Sequence, residues 1–287
     1  MFNIDLHCHS NVSDGLLPPA DVVARAAANG VHALALTDHD DVAGLPAARA
    51  AAAAVGIAFI SGVEISVSWG GQTVHIVGLR IDPDHPELAA GLADIRRGRI
   101  ERARRMGDDL ARAGIEGAYE GAYRYAANKE MVGRTHFARW LVEQGHAPDI
   151  RSAFRRFLTR GNPGYVEHQW ASLEDAVGWI CASGGLAVIA HPGRYAFDAR
   201  EIHLLLDAFR SLGGEGIEVI TGSHHPSEYG KWADLARAFG LKASRGADFH
   251  APGEGIDIGR LPALPHYCQP VWQGWAELAP AATLSLA

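Results

Sequence analysis

The sequence predicts an α/β fold, a mostly parallel sheet whose strands are joined by helical crossovers. Short apolar runs alternate with helix-length amphipathic segments, the pattern of βα units. The apolar runs end abruptly in His, Asp or Glu. The alternation stops near residue 85 and resumes near residue 165, with no convincing strand between.

Residues 2–6 read as a strand running into Asp5-Leu6-His7-Cys8-His9. Ala20 to Ala27, after Pro18-Pro19 and before Asn29-Gly30, is a helix with both punctuation marks in place. His32 to Thr37 is a strand ending in Asp38-His39-Asp40-Asp41. Residues 45–55 are Ala-rich and helical, closed by Gly56. Ile57 to Ile60 is a third strand, ending at Ser61-Gly62-Val63-Glu64. Ile65 to Trp69 and Thr73 to Leu79 alternate about Gly70-Gly71, a hairpin with His75 on its second strand. Leu88 to Ala113 is periodic, and Thr135 to Gln144 and Ala147 to Leu158 are two further helices. The α/β pattern returns with a helix at 173–183 and a strand at 186–190 that ends in His191-Pro192-Gly193-Arg194. A helix at 200–211, a strand at 216–220, a helix at 228–239 and a short strand at 242–244 follow. That last strand ends in Asp248-Phe249-His250, and the tail beyond Ile256 is irregular. Residues 1–95 and 165–287 thus read as two parts of one barrel-like unit, with 96–164 a helical insertion.

The chain has 287 residues, enough for one large domain or one with an insertion. No run approaches the roughly 18 apolar residues of a membrane span, and the N-terminus lacks the basic and apolar regions of a secretory signal. A cytoplasmic protein with no membrane partner is expected. Formal net charge is −7, whereas duplex-binding proteins are more often basic, so no duplex DNA partner is expected. The three cysteines are too far apart for a disulfide framework or a Cys-rich metal site.

The polar strand ends carry the chemistry. His7 and His9 are two apart, so an extended chain presents both imidazoles on one face and turns Cys8 to the other. His39, Glu64, His75, His191, Glu218, Asp248 and His250 recur at or near later strand ends, where barrel proteins gather their functional groups. A donor set of His, Asp and Glu without Cys suits Mn²⁺, Zn²⁺ or Fe²⁺, and its size fits two or three ions, with Glu64 able to bridge. Two adjacent ions clamp phosphate oxygens, which points to displacement at phosphorus.

These residues resemble the PHP (polymerase and histidinol phosphatase) family of the amidohydrolase superfamily. The matching motifs are Asp5-Leu6-His7-Cys8-His9, Ser13-Asp14-Gly15, Leu36-Thr37-Asp38-His39-Asp40, Gly62-Val63-Glu64, His75, Ala190-His191-Pro192-Gly193-Arg194, Gly216-Ile217-Glu218-Val219 and Gly246-Ala247-Asp248-Phe249-His250. The resemblance implies a distorted (β/α)₇ barrel with a di- or trinuclear centre, expected to hold Mn²⁺. His7, His9, Glu64 and Asp248 would hold one ion and a metal-bridged hydroxide. Glu64, His75 and His191 would hold a second ion, and Asp14, His39 and His250 a third. Within the family the likeness is to nucleotide phosphatases and short-RNA 5′→3′ exonucleases with a helical insertion. Val132-Gly133-Arg134-Thr135-His136 resembles the insertion's motif, with Thr135 replacing its usual Pro.

The implied activity is release of the 3′-phosphate from 3′,5′-bisphosphate nucleotides. The alternatives are a 5′→3′ exoribonuclease on short RNA and a metal-binding regulatory module without turnover. Seven Arg against three acids between residues 96 and 112 give a local balance of +4. Arg99, Arg102 and Arg105, with Arg134, Thr135 and His136, are the expected contacts to the phosphate that is not cleaved, joined by Asp14 and His250 at the site itself.

Overall fold

The structure, a computed structural model, describes residues 2–278. Seven strands form one sheet in chain order: β1 (Ile4–Asp5), β2 (Ala33–Leu36), β3 (Ala58–Trp69), β4 (Gln72–Leu79), β5 (Leu186–Ile189), β6 (Gly216–Thr221) and β7 (Lys242–Gly246). The last strand returns to the first. Leu6 N–H donates to Arg245 O at 3.0 Å and Asp248 N–H to His7 O at 2.8 Å, so the sheet is a nearly closed barrel. Helices α1 (Pro19–Ala28), α2 (Leu45–Val55), α7 (Leu173–Ala182), α8 (Ala199–Ser211) and α9 (Tyr229–Ala238) accompany its strands. No helix among the described residues is long and apolar enough to cross a membrane.

One strand runs against the rest. β4 is antiparallel to both β3 and β5, which distorts the barrel. Its reversal is local chemistry: Gly70 and Gly71 both take positive φ, 54° and 71°, in a two-residue hairpin turn that only such residues adopt cheaply. The two separate runs expected at 57–60 and 65–69 are one strand, β3. It pairs with β2 through residue 61 and with β4 from Gly62 onward. The interposed Ser61 to Glu64 breaks the apolar pattern without leaving the ladder.

The barrel interior explains where chemistry can sit. Ala33, Ala35, Ile60, Val77, Leu79, Leu186 and Val188 converge from four neighbouring strands in one apolar cluster, which Val271 and Trp275 also join. Side chains alternate along a strand, so Glu64 shares a face with Ile60, and His75 with Val77 and Leu79. Moving along the barrel, the inward face changes from aliphatic to ionisable. Glu64 and His75 therefore lie within their strands, not at the ends. The opposite faces, Leu34, Val63, Ile65, Val74, Ile76 and Ile189 among them, pack with the helices in the largest cluster.

Helix α3 (Pro86–Arg112) begins on the barrel and leaves it. Leu88, Leu92 and Ile95 join the main core, whereas Ala103, Met106 and Leu110 join a second apolar cluster that includes Phe137, Trp140, Leu141 and Leu158. The boundary expected at residue 96 falls inside this helix. The second cluster also contains α4 (Ala118–Tyr125), which the sequence reading passed over, α5 (Arg134–Glu143) and α6 (Ile150–Ala153). A π-helical turn over Phe154–Leu158 follows α6 directly.

Candidate metal centre

His7 and His9 follow β1 on an extended segment, and Cys8 between them faces away. Its thiol donates to Ala35 O at 3.2 Å within the main core, and burial raises its pKa well above the usual value. Cys8 is thus a packing residue. The two imidazole Nε2 atoms stand 3.1 Å apart. Glu64 Oε2 lies 3.3 Å from each of them, and Asp248 Oδ1 lies 3.5 Å from His7 and 3.3 Å from His9. Four donors around an ion at about 2.0–2.1 Å would stand about 3.3 Å apart in tetrahedral geometry. The spacing of this quartet therefore fits a divalent cation.

Two neighbouring groups share members with the first. His9, Asp14, His39 and His250 bring one donor each within 4.8 Å of one another, and so do His39, Glu64 and His75. His39 thus stands beside the trio expected around Glu64, with Nδ1 at 2.8 Å from Glu64 Oε2. His191 approaches from the other side, with Nε2 3.0 Å from Glu64 Oε1, beside His75 Nδ1 at 2.9 Å from the same oxygen. All nine residues expected to be ligands are brought together; Glu64 belongs to two of the three groups, and His9 and His39 link the remaining one to them.

The ring tautomers are set from behind. His7 Nδ1 donates to Glu218 Oε1 at 2.8 Å and His250 Nδ1 to Asp248 O at 2.9 Å. Each bond turns Nε2 toward the cluster, the arrangement that orients metal-ligating imidazoles. Glu218 also accepts from His191 N–H at 2.7 Å. The sequence marked Glu218 as a strand-end acid but gave it no task. Three of the four non-glycine residues with positive φ, Asp40, His191 and Asp248, belong to this region. Such strain is characteristic of functional sites.

Electrostatics sort the same groups. Burial alone would raise the carboxyls of Glu64, Asp248 and Asp14, but surrounding imidazoles hold all three well below the usual range. Burial lowers His9 and His191 to about 3, helped by His250 and His39 in one case and Arg194 in the other. These two imidazoles are neutral at pH 7, as ligands must be. Burial opposes protonation of His250, yet Asp14 raises its pKa to about 9. Buried Glu64 Oε2, Asp248 Oδ1 and Asp14 Oδ1 have no hydrogen-bond partner among the described residues. Buried acceptors of this kind are costly unless something positive satisfies them.

The expected substrate contacts divide. Arg99 is spent on structure: it pairs with buried Asp40, donates to Ser66 Oγ at 2.8 Å, and lies over Trp170. Arg102 donates to Val166 O at 3.2 Å and faces the same ring, with no carboxylate partner among the described residues. Burial, with Arg134 and Arg99 nearby, lowers its pKa to about 9. Arg134 also lacks an acidic partner among the described residues; its guanidinium lies 5.9 Å from the centre of the Phe154 ring, and burial lowers its pKa. Arg105 is turned outward beside Glu101 with 48% of its side chain exposed, because three residues advance a helix by less than a full turn and the i, i+3, i+6 series rotates off the inner face. His136 is buried, and its Nδ1 accepts from Gly133 N–H at 3.0 Å, so it caps α5 and is closed to substrate. Thr135 donates to Asp14 Oδ2 at 2.8 Å, while Arg139 donates to Asp14 O at 2.9 Å.

Arg194, quoted within a motif but given no role, donates to Asp248 Oδ2 at 3.0 Å and is 47% exposed. His224 is buried and accepts from Gly193 N–H at 2.9 Å, bracing the loop that carries His191 and Arg194.

A family model described as PHP domain matches residues 5–222. The 3′,5′-nucleoside bisphosphate phosphatase of Chromobacterium violaceum is 58% identical over 274 residues, covering 95% of this chain and 96% of its own length. The 5′-3′ exoribonuclease of Haemophilus influenzae is 42% identical over 269 residues, covering 94% of this chain and 97% of its own. Among solved structures, an amidohydrolase from Chromobacterium violaceum with bound sulfate and no metal matches with a TM-score of 0.93 and 58% identity. The match covers 94% of this chain and 95% of that one.

Proposed function

This chain belongs to the PHP domain family, and on that premise we propose that it is a metal-dependent phosphatase removing the 3′-phosphate from 3′,5′-bisphosphate nucleotides. The observation that carries the reading is the pair Arg102 and Arg134. Arg102, buried, and Arg134, half-buried, have no acidic partner among the described residues, Arg134 disfavours the charge on Arg102, and both stand on the block that also grips Asp14. Uncompensated buried charge is expensive, and a doubly charged phosphate relieves it. A substrate with one phosphate at the metal centre and a second at these arginines satisfies both halves.

Under this reading His7, His9, Glu64 and Asp248 hold one ion, Glu64, His75 and His191 a second, and Asp14, His39 and His250 a third, with Mn²⁺ the proposed metal. Bound divalent ions supply Lewis acidity toward phosphate oxygens and a nucleophile at neutral pH. Residues 96–164 act as the substrate-contacting insertion. Arg102 and Arg134 hold the uncleaved phosphate and so fix the register of the other. Arg194, anchored on Asp248, presents its remaining N–H groups where negative charge develops. The complete donor set speaks against a regulatory module without turnover. Cleavage of short RNA from its 5′ end is a second reading, favoured by the similarity to the Haemophilus exoribonuclease.

Phosphate release by metal-reconstituted protein tests the first reading. Adenosine 3′,5′-bisphosphate should be hydrolysed and 5′-AMP should not; equal cleavage of the two would remove the second-phosphate requirement. A 5′-labelled oligonucleotide separates the readings, since release of mononucleotide marks the nuclease.

A further inference from the structure

We propose that the cleft between the helical insertion and the loops after β6 and β7 seats the nucleobase of the substrate, an inference that rests on the nucleotide reading above. The cleft encloses about 220 Å³. At about 30 Å³ per water this is the space of about seven waters, room for one heterocycle. The insertion lines it with Ile150 and Phe154 and the barrel loops with Gly222 and Ile256, and Arg194, Asp248 and His250 form part of its lining. It is therefore continuous with the candidate metal centre.

Its chemistry is that of a flat apolar ring. Ile150 and Phe154 are half-buried at the edge of the insertion core, and Ile256 lies at the edge of the barrel core. Arg194, which also lines the cleft, keeps N–H groups free beyond its bond to Asp248, while the other polar side chains are engaged. Thr135 donates to Asp14 at 2.8 Å, Ser223 to Asp248 at 2.9 Å, and Glu254 accepts from Arg139 at 3.1 Å. Apart from Arg194, the Ile150, Phe154 and Ile256 side chains leave apolar surface, which suits stacking. Gly222 lets the loops after β6 and β7 meet closely on the barrel side, since a Cβ there would stand 2.2 Å from Ala247 O. Phe154 opens the π-helical turn, a local irregularity common at functional sites. Its ring also lies under the Arg134 guanidinium. One aromatic wall thus adjoins both the arginine assigned to the second phosphate and the cleft leading to the metal-type residues, as a nucleoside carrying two phosphates requires.

The experiment compares adenosine 3′,5′-bisphosphate with the abasic 1-O-methylribose 3,5-bisphosphate, using wild type, Phe154→Ala, Phe154→Trp and Ile256→Ala, all metal-loaded. Wild type should prefer the nucleotide. In Phe154→Ala the loss of kcat/KM on the nucleotide should exceed the loss on the abasic compound by between about 5- and 150-fold, the span of base–aromatic stacking, and appear mainly in KM. Phe154→Trp should restore the preference, and Ile256→Ala should weaken it from the other wall. Equal turnover of the two compounds by wild type would overturn the base seat while leaving the phosphatase reading intact. Equal losses on both compounds in Phe154→Ala and Ile256→Ala would overturn it too, as would no loss on either. Failure of wild type to release phosphate from either bisphosphate would sink the functional reading itself. Should Phe154→Ala not fold, Ile256→Ala and Phe154→Trp decide alone.

Discussion

His7 is legible from its neighbours at two depths. Its Nε2 faces Glu64, His9 and Asp248, and its Nδ1 is held by Glu218. The first relation was readable from sequence, because ligand-type residues recur at strand ends. The second was not, since nothing in a strand-end acid says whether it meets the cation or the ring behind it. Glu218→Gln should weaken metal affinity about 10- to 100-fold, as changes behind a ligating histidine do, with little loss of fold. Metal titration followed by circular dichroism checks both; unchanged affinity would remove Glu218 from the positioning role.

His136 illustrates the opposite outcome, a motif residue that turned out to be an internal cap. Burial lowers its pKa to about 4, with Arg139 adding to the effect. As pH falls below about 6.5 the unfolded chain takes up this proton before the folded one does. The stability it contributes is therefore complete above about pH 6.5 and lost as pH falls toward 4, by on the order of 3 kcal/mol. Urea unfolding at pH 7 and pH 4.5 should show a shallower acid loss in His136→Asn than in wild type. Identical slopes would mean the imidazole is protonated in the native state.

At the scale of elements, α3 is the link between the two apolar clusters. Its first turns pack on the barrel and its last turns on the insertion, so Leu92→Ala and Leu110→Ala should each cost about 2–5 kcal/mol by leaving a buried void. Their functional signatures should differ: Leu110→Ala should raise KM for the bisphosphate more than it changes metal content. A loss of metal in Leu110→Ala would mean that the insertion does not act chiefly on substrate.

Element type was largely legible because period and punctuation agree along the βα units. Strand extent was less so. β3 looked like two pieces because it changes partner at Gly62 from β2 to β4, a tertiary event with no local signal. α4 was missed because Ala118 to Tyr125 is short and mixes Gly and Tyr with few aliphatic residues, so its burial comes from the packing around it. The arginine series on α3 was read from spacing alone, which could not tell that Asp40 neutralises Arg99 while Arg102 has no carboxylate partner among the described residues.

The molecule as a whole separates charge by place. The chain carries −7, while Arg102, Arg134 and Arg194 are close enough to affect one another's charge in sequence, Arg134 acting on Arg102 and Arg194 on Arg134. Buried acceptors without partners among the described residues make the candidate metal centre a local cost until a cation satisfies them. Divalent metal should therefore stabilise the fold by binding the native state alone, and chelation should lower Tm in a manner dependent on metal concentration. A melting temperature indifferent to both would argue against a metal site there.

The central claim is that one phosphate meets the metal centre while a second is held by the insertion's Arg102 and Arg134. Its most direct test is kcat/KM for adenosine 3′,5′-bisphosphate and for 3′-AMP, in wild type and in Arg134→Ala, with metal content verified in both. Wild type should prefer the bisphosphate, and Arg134→Ala should abolish most of that preference through KM, with metal content and the kcat for the bisphosphate largely retained. A preference that survives in Arg134→Ala, or a wild type that treats both substrates alike, would contradict the account.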